Sequence, residues 1–294
     1  MWTAEHFKHA QSLILDGQAT PADLKALREG IPQALSSAEE IDINYFANLL
    51  SEAKNIPALM AVVPEAIRAG VDQLLINAAA EQNRYVYIEA FPKILKLIKD
   101  TPALMAVITP EDVKSILDLQ FKREYVAGYV RSLVEIKDDT LLMAAVTPDD
   151  IEKLIRRIFA KGYITDLGEL LLVIKGYPAL MEVVPKAVED GIAAQVDRGT
   201  IGYIARVLAV TKDYSTVGAV IKPEHVKAVI EMTLSSRAAG SMDDYKSALL
   251  AIRGNQAFEA VAREALIAFE ASQKTSGGTS PLTPVRQHYE MGCR

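Results

Sequence analysis

The amino-acid sequence predicts an all-α chain: an α-solenoid of about six helical repeats of roughly 38–45 residues, with a flexible C-terminal tail. Three observations lead there. An apolar segment closed by proline, Pro57-Ala58-Leu59-Met60-Ala61-Val62-Val63-Pro64, returns as Pro102–Pro110, Thr140–Pro148 and Pro178–Pro185. It returns more weakly as Tyr214–Pro223, and without its proline as Ala257–Arg263. The closing prolines at 21, 64, 110, 148, 185 and 223 stand 43, 46, 38, 37 and 38 residues apart. A basic residue stands six positions before the methionine-like position of every copy: Lys54, Lys99, Lys137, Lys175, Lys212 and Arg253.

The elements follow in order. Residues 1–20, with the amphipathic piece Phe7 to Leu15, fit an N-terminal cap. Each repeat opens a helix at its proline. Thr109-Pro110-Glu111-Asp112 and Thr147-Pro148-Asp149-Asp150 place Thr at the cap and Pro at the first helical position. Acids then fill the positively polarised first turn. Apolar residues three positions on (Leu24, Ile67, Val113, Ile151, Val188, Val226, Leu266) give this helix a buried face. In most copies another stands seven on (Val71, Leu117, Ile155, Ile192, Ile230).

A second helix leads up to the basic residue. Eight positions before it lie Phe46, Phe91, Tyr129, Leu167, Ile204 and Tyr245, and four before it always Leu: Leu50, Leu95, Leu133, Leu171, Leu208 and Leu249. One before it lie Ala53, Ile98, Ile136, Ile174, Thr211 and Ile252. At 3.6 residues per turn these three positions share one face. The cation then complements the helix C-terminus. Asn55, Asp100, Asp138, Gly176, Asp213 or Gly254 follows it, and Asn and Gly suit a left-handed stop. The Ala-Leu-Met-Ala-Val piece adds a short helical turn before the next proline. Residues 257–272, more polar and carrying Glu264 and Glu270, fit a C-terminal cap of a repeat domain spanning 1–272. From Gln273 the run Thr275-Ser276-Gly277-Gly278-Thr279-Ser280-Pro281-Leu282-Thr283-Pro284 breaks helix, so 273–294 is the expected tail.

One such unit cannot bury its apolar face alone, whereas stacked neighbours share a continuous core. With its short and two longer helices per unit, the pattern over about residues 20–271 resembles the right-handed α-solenoid repeats of the HEAT and armadillo type. That resemblance implies an extended surface and a protein partner.

Composition removes other classes. Lys and Arg number 32 against 38 Asp and Glu, a formal charge of −6, which argues against nucleic acid as partner. A single cysteine, Cys293, excludes internal disulfides and thiolate-rich metal sites. No apolar run approaches the roughly 18–20 residues that span a membrane. Met1–His6 lacks the start of a signal peptide. The expectation is therefore no membrane and a cytoplasmic location, or a host cytosol if the protein is secreted as an effector.

Catalytic constellations are missing from the sequence. It has no Gly-rich phosphate loop and no Gly-x-Ser-x-Gly elbow. His6 and His9 stand at i and i+3 without a third ligand nearby, and His225 is expected in a solvated first turn. Asp149-Asp150 and Asp243-Asp244 read as helix-start acids. No enzyme activity, no cofactor and no metal are expected.

The expected function is a protein–protein interaction scaffold or adaptor. Candidate partner-binding residues are the ladder Lys54, Lys99, Lys137, Lys175, Lys212 and Arg253, which either caps helix ends or meets an acidic partner. Tyr87, Tyr125 and Tyr163, twelve residues before their ladder lysines, are expected at the start of the second helices. Met60, Met105, Met143 and Met181 read as inter-repeat core. In the tail, Ser280, Thr283 and Arg286 carry the pattern of proline-directed phosphorylation sites. One alternative is a secreted bacterial effector of the same fold that binds a host protein. Others are repeat-based nucleic-acid binding and a helical-repeat enzyme. The nucleic-acid alternative rests on Thr109–Val113 and Thr147–Ile151, which resemble the helix start of TAL-effector repeats but lack a uniform period and a Gly-rich base-reading loop.

Overall fold

A computed structural model describes residues 12, 20–37, 40–53, 56–80, 85–197, 206–207, 209–211, 214–235 and 256–275. The rest of the N-terminal cap, Lys54, Lys212, Arg253 and the tail from 276 on lie outside the described residues. The described regular structure is entirely helical. The chain divides into two compact units, Met1–Val146 and Thr147–Arg294, so the division falls just before Pro148 and leaves each repeat whole.

In the N-terminal unit one sequence of elements occurs three times: a longer helix, a second helix and a four-residue helical turn. The first set is α1 (Pro21–Ser37), α2 (Glu40–Ala53) and α3 (Pro57–Met60). The next is α4 (Val63–Ala80), α5 (Tyr85–Ile98) and α6 (Pro102–Met105), and the third α7 (Pro110–Lys122), α8 (Val126–Ile136) and α9 (Thr140–Met143). Like packs on like: α1 on α4, α4 on α7, α2 on α5 and α5 on α8. The C-terminal unit holds α10 (Pro148–Lys161), α11 (Ile164–Ile174), α12 (Pro178–Met181), α13 (Val184–Asp197), α14 (Ser215–Gly218), α15 (Pro223–Ser235) and α16 (Gln256–Thr275). There α10 packs on α13, α13 on α15 and α15 on α16.

The core repeats with the sequence. Phe46, Phe91, Tyr129 and Leu167 are buried, as are Leu50, Leu95, Leu133 and Leu171, and Ile98, Ile136 and Ile174. In the proline-started helices Ile67, Val113, Ile151, Val188 and Val226 are fully covered. The short turns insert Leu59, Leu104, Leu142, Leu180 and Val217, the residue before the methionine-like position. Met105 and Met143 are buried beside them, while Met60 and Met181 are only half-buried, so the leucine is the more constant anchor. Each such side chain contributes about 1.5–3 kcal/mol on burial.

The helix starts do more than the dipole argument requires. Asp112 N–H donates to Thr109 Oγ1 at 3.2 Å, and Thr109 N–H donates to Asp112 Oδ2 at 2.8 Å. Thr147 with Asp150 and Thr20 with Asp23 form the same reciprocal pair. Two otherwise unpaired backbone donors are thereby satisfied at each start. At α15 the pattern becomes Lys222-Pro223-Glu224-His225, and the Lys222 N–H donates to His225 Nδ1 at 3.2 Å. His225, expected in solvent, is half-buried and closes a helix start.

Left-handed backbone falls elsewhere than expected. Asp100, Asp138 and Gly176 are not left-handed; among the described residues only Glu124 (φ 58°) and Gly162 (φ 77°) are. After Lys99 and Lys137 the chain enters the next short helix at once, through turns such as Thr101 N–H to Ile98 O and Asp139 N–H to Ile136 O. The longer helices α7 and α10 are the ones that must reverse. They do so with Tyr125 N–H on Gln120 O and Tyr163 N–H on Ile158 O, the 6→1 bond of a left-handed stop.

The sixth copy departs from the others. Ala257–Arg263 forms no separate short turn but lies within the 20-residue α16, which runs three residues past the expected domain end at 272. A closing proline would remove a backbone donor and clash with the preceding turn. Without one, nothing interrupts the helix.

Side chains also tie successive repeats together. Asn77 Nδ2 donates to Ser36 O at 3.1 Å, and the Arg123 guanidinium donates to Ala78 O; each stands 13 residues after its repeat's proline and covers the last carbonyls of the preceding longer helix. Arg68 Nη1 reaches Val107 O at 2.9 Å, and its guanidinium grips both Asp72 and Asp112. Burial alone would raise the Asp112 carboxyl. Arg68 and the Thr109 amide and hydroxyl outweigh it and hold the group below the ordinary aspartate range. In the C-terminal unit the Gln195 amide donates to Phe159 O, and Arg156, Asp190, Lys186, Glu189 and Lys222 form a linked set of ion pairs.

Candidate functional site

The second helices carry the residues that the sequence singled out. Lys137 and Lys175 are the C-terminal cap residues of α8 and α11, and Lys99 directly follows α5. These are places where a cation meets unpaired carbonyls. Lys99 Nζ lies 2.8 Å from Glu135 Oε2 on α8, and this bond raises its affinity for the proton. Lys137 Nζ lies 2.6 Å from Asp138 Oδ2. Lys175 is exposed and has no ion pair among the described residues. Two of the three described ladder lysines are therefore neutralised by carboxylates of their own unit.

The tyrosines do not form one series. Tyr125 and Tyr163 stand just before the first residues of α8 and α11, as expected. Tyr87 is instead the third residue of α5 and only 5% exposed, because α5 begins two residues earlier, at Tyr85. Tyr85 takes the outward place and is 51% exposed. Its ring meets that of Tyr125 edge-on, with centroids 6.3 Å apart and planes at 73°. The Tyr125 ring lies over Gly128, where a Cβ would fall inside it. In the next copy Asp166 holds the place of Gly128, and Tyr163 is 47% exposed.

The rest of this surface comes from two helix stripes. On α5, Tyr85, Glu89, Lys93, Lys96 and Lys99 stand at i, i+4, i+8, i+11 and i+14, within one face. On α8 the outward positions are Ala127, Arg131, Val134 and Glu135. Lys93, Lys96 and Arg131 are exposed and have no ion pair among the described residues. Burial, then the neighbouring Glu89 carboxylate, push the Tyr125 hydroxyl up; Arg131 opposes them. Sequence reasoning missed Tyr85, Lys93, Lys96 and Arg131, although the i, i+4, i+8 spacing of the outward charges was legible.

Behind this surface, Pro92 sits inside α5 and supplies no N–H to the Ile88 carbonyl one turn earlier. Gln120 of α7 supplies it instead: Nε2 is 2.9 Å from Ile88 O and 3.1 Å from Ser132 Oγ of α8. Ser132 in turn donates to Gln120 Oε1 at 3.2 Å. Gln120 and Ser132 are both fully buried. One amide thus pins α5, α7 and α8 together beneath the outward stripes.

In the C-terminal unit the matching stripe on α11 reads Thr165, Glu169, Leu172 and Lys175, with Leu172 57% exposed. Elsewhere in the N-terminal unit an open groove of about 470 Å³ runs between α4 and α7, lined by Leu75, Ile76, Ala79, Ser115, Asp118, Leu119 and Lys122.

Among the described residues no helix is long and apolar enough to cross a membrane, and no group of three or more His, Cys, Asp or Glu is placed to hold a metal ion. Ser280, Thr283 and Arg286 lie outside the described residues. No protein-family model matches the chain, and none of the curated proteins matches it.

Proposed function

We propose that the protein is a protein–protein interaction scaffold or adaptor: an α-solenoid, similar in layout to HEAT and armadillo arrays, that binds through the outward stripes of its second helices. One observation carries this reading. The apolar triplet of the second helix keeps its character from copy to copy, whereas the outward positions change. Glu89, Lys93 and Lys96 become Ala127, Arg131 and Val134, then Thr165, Glu169 and Leu172. The fold constrains the first set and leaves the second open to a partner. The like-on-like packing inside each unit supports the array, since stacked repeats bury a shared core and present long surfaces.

The test is affinity capture from native lysate with the tagged full chain. Two variants accompany it. One replaces Lys96, Arg131, Glu169 and Leu172 with Ala; the other replaces Glu111, Asp118 and Lys122 on α7. The reading expects a discrete protein to be captured by the wild type and by the α7 variant and lost from the second-helix variant. Capture that is absent, or equal in all three, contradicts it.

A further inference from the structure

Resting on that reading, we infer that the α5–α8 surface of the N-terminal unit binds an acidic, extended segment of its partner protein, with Lys93, Lys96 and Arg131 meeting carboxylates and the Tyr85–Tyr125 pair taking an adjoining side chain.

The charge arrangement within this unit carries the argument. On the proline-started helices cations are largely matched internally: Lys25 with Glu29, Arg28 with Glu65, Arg68 with Asp72 and Asp112, and Lys114 with Asp118. On the α5–α8 surface Glu135 holds Lys99 and Asp138 holds Lys137, and Glu89, one turn before Lys93, is the remaining carboxylate within the two stripes. Lys93, Lys96 and Arg131 are left exposed without an ion pair among the described residues. Three such cations against the single carboxylate of Glu89, in a chain whose formal charge is −6, form a local field opposite to that of the whole. Such a field steers and orients an anionic partner.

The spacing suits an extended chain. Packed helices lie about 8–10 Å apart, and alternate side chains of an extended strand repeat at about 6.6–7 Å. Two carboxylates two or three residues apart therefore reach from Lys96 on α5 to Arg131 on α8. The edge-on rings of Tyr85 and Tyr125 offer apolar area with polar tips at the N-terminal end of the same stripe, the composition favoured where proteins meet. A nucleic acid fits less well, because three cations in a chain of formal charge −6 fall short of the basic footprint that a phosphate backbone calls for.

The experiment uses the full chain and fluorescence anisotropy. The probe is a fluorescein-labelled peptide of alternating Glu and Ser, with a control in which Gln replaces every Glu. The expected result is binding of the Glu peptide, none of the Gln peptide, and affinity that falls with added salt. The triple variant K93E/K96E/R131E should weaken binding roughly tenfold or more. K122E, placed on α7, should leave it unchanged. Circular dichroism checks each fold, and K93Q/K96Q/R131Q replaces the reversal variant if that one unfolds. Equal binding of both peptides, no binding, or indifference to the charge variants overturns the proposal. So does a labelled single-stranded oligonucleotide that binds the same cations more tightly than the Glu peptide. If the lysate capture succeeds while the Glu peptide fails to bind, the acidic occupant falls and the scaffold reading stands. If the peptide binds and no protein is captured, the scaffold reading falls.

Discussion

Gln120 and Pro92 form a complementary pair: the proline leaves the Ile88 carbonyl without a donor in its own helix, and the glutamine amide of the next repeat donates to it at 2.9 Å. The bond is buried, so its loss leaves a carbonyl and the Ser132 hydroxyl with no access to water. Gln120→Leu should therefore cost about 1–3 kcal/mol, measured by urea unfolding. In a Pro92→Ala background residue 92 regains an N–H that can serve Ile88. The same substitution should then cost less, with a coupling of about 1 kcal/mol across the double-mutant cycle. Additive effects would show that the two residues do not share this carbonyl.

The start of α15 should carry a pH dependence. His225 Nδ1 accepts the Lys222 N–H and must be neutral to do so. Partial burial, and then the neighbouring Lys222, hold its proton affinity below the ordinary histidine value despite Glu224 and Glu189. A group whose folded pKa is depressed stabilises the fold above its unfolded pKa and loses that contribution as pH falls through the folded one. The thermal midpoint of the wild type should thus drop as pH is lowered below about 6.5. His225→Asp retains an acceptor until about pH 3.9 and should remove this step. An unchanged step in the variant would place its origin in another group.

The two left-handed stops make opposite predictions. Gly162 at φ 77° tolerates that conformation, and Gly162→Ala should cost about 1–2 kcal/mol. Glu124 holds the equivalent place after α7 at φ 58° with a side chain. Glu124→Gly should leave stability unchanged or raise it by up to about 1 kcal/mol, the relieved strain being offset by greater freedom of the unfolded chain. Denaturant midpoints of the two variants test the pair. A loss in both would show that the Glu124 side chain outweighs its strain.

Much of this organisation is legible in the sequence, and the limits are physical. The recurring prolines, the Thr-Pro starts and the apolar triplet of the second helix are local patterns, and residues such as Leu95, Leu133 and Leu171 fall in the core where the period places them. Tyr87 falls inside the first turn and is buried because its helix starts three residues earlier, relative to the ladder lysine, than those of the next copies, an offset that the spacing to Lys99 does not encode. A proline inside a helix leaves a carbonyl unpaired one turn earlier, but only the packing of α7 against α5 identifies Gln120 as the donor that serves Ile88. The charges of the α5–α8 surface were visible one by one. Which of them are neutralised depends on contacts such as Lys99 with Glu135, 36 residues apart.

The claim that the second-helix stripes form the binding surface is tested most directly by site-specific photo-cross-linking in native lysate. A photoactivatable residue is placed at Lys96 or Arg131 on the second helices, or at Asp118 on α7, all three exposed. The account predicts a discrete protein adduct from positions 96 and 131 and none from 118. Adducts from position 118 alone, or equally from all three, would contradict it.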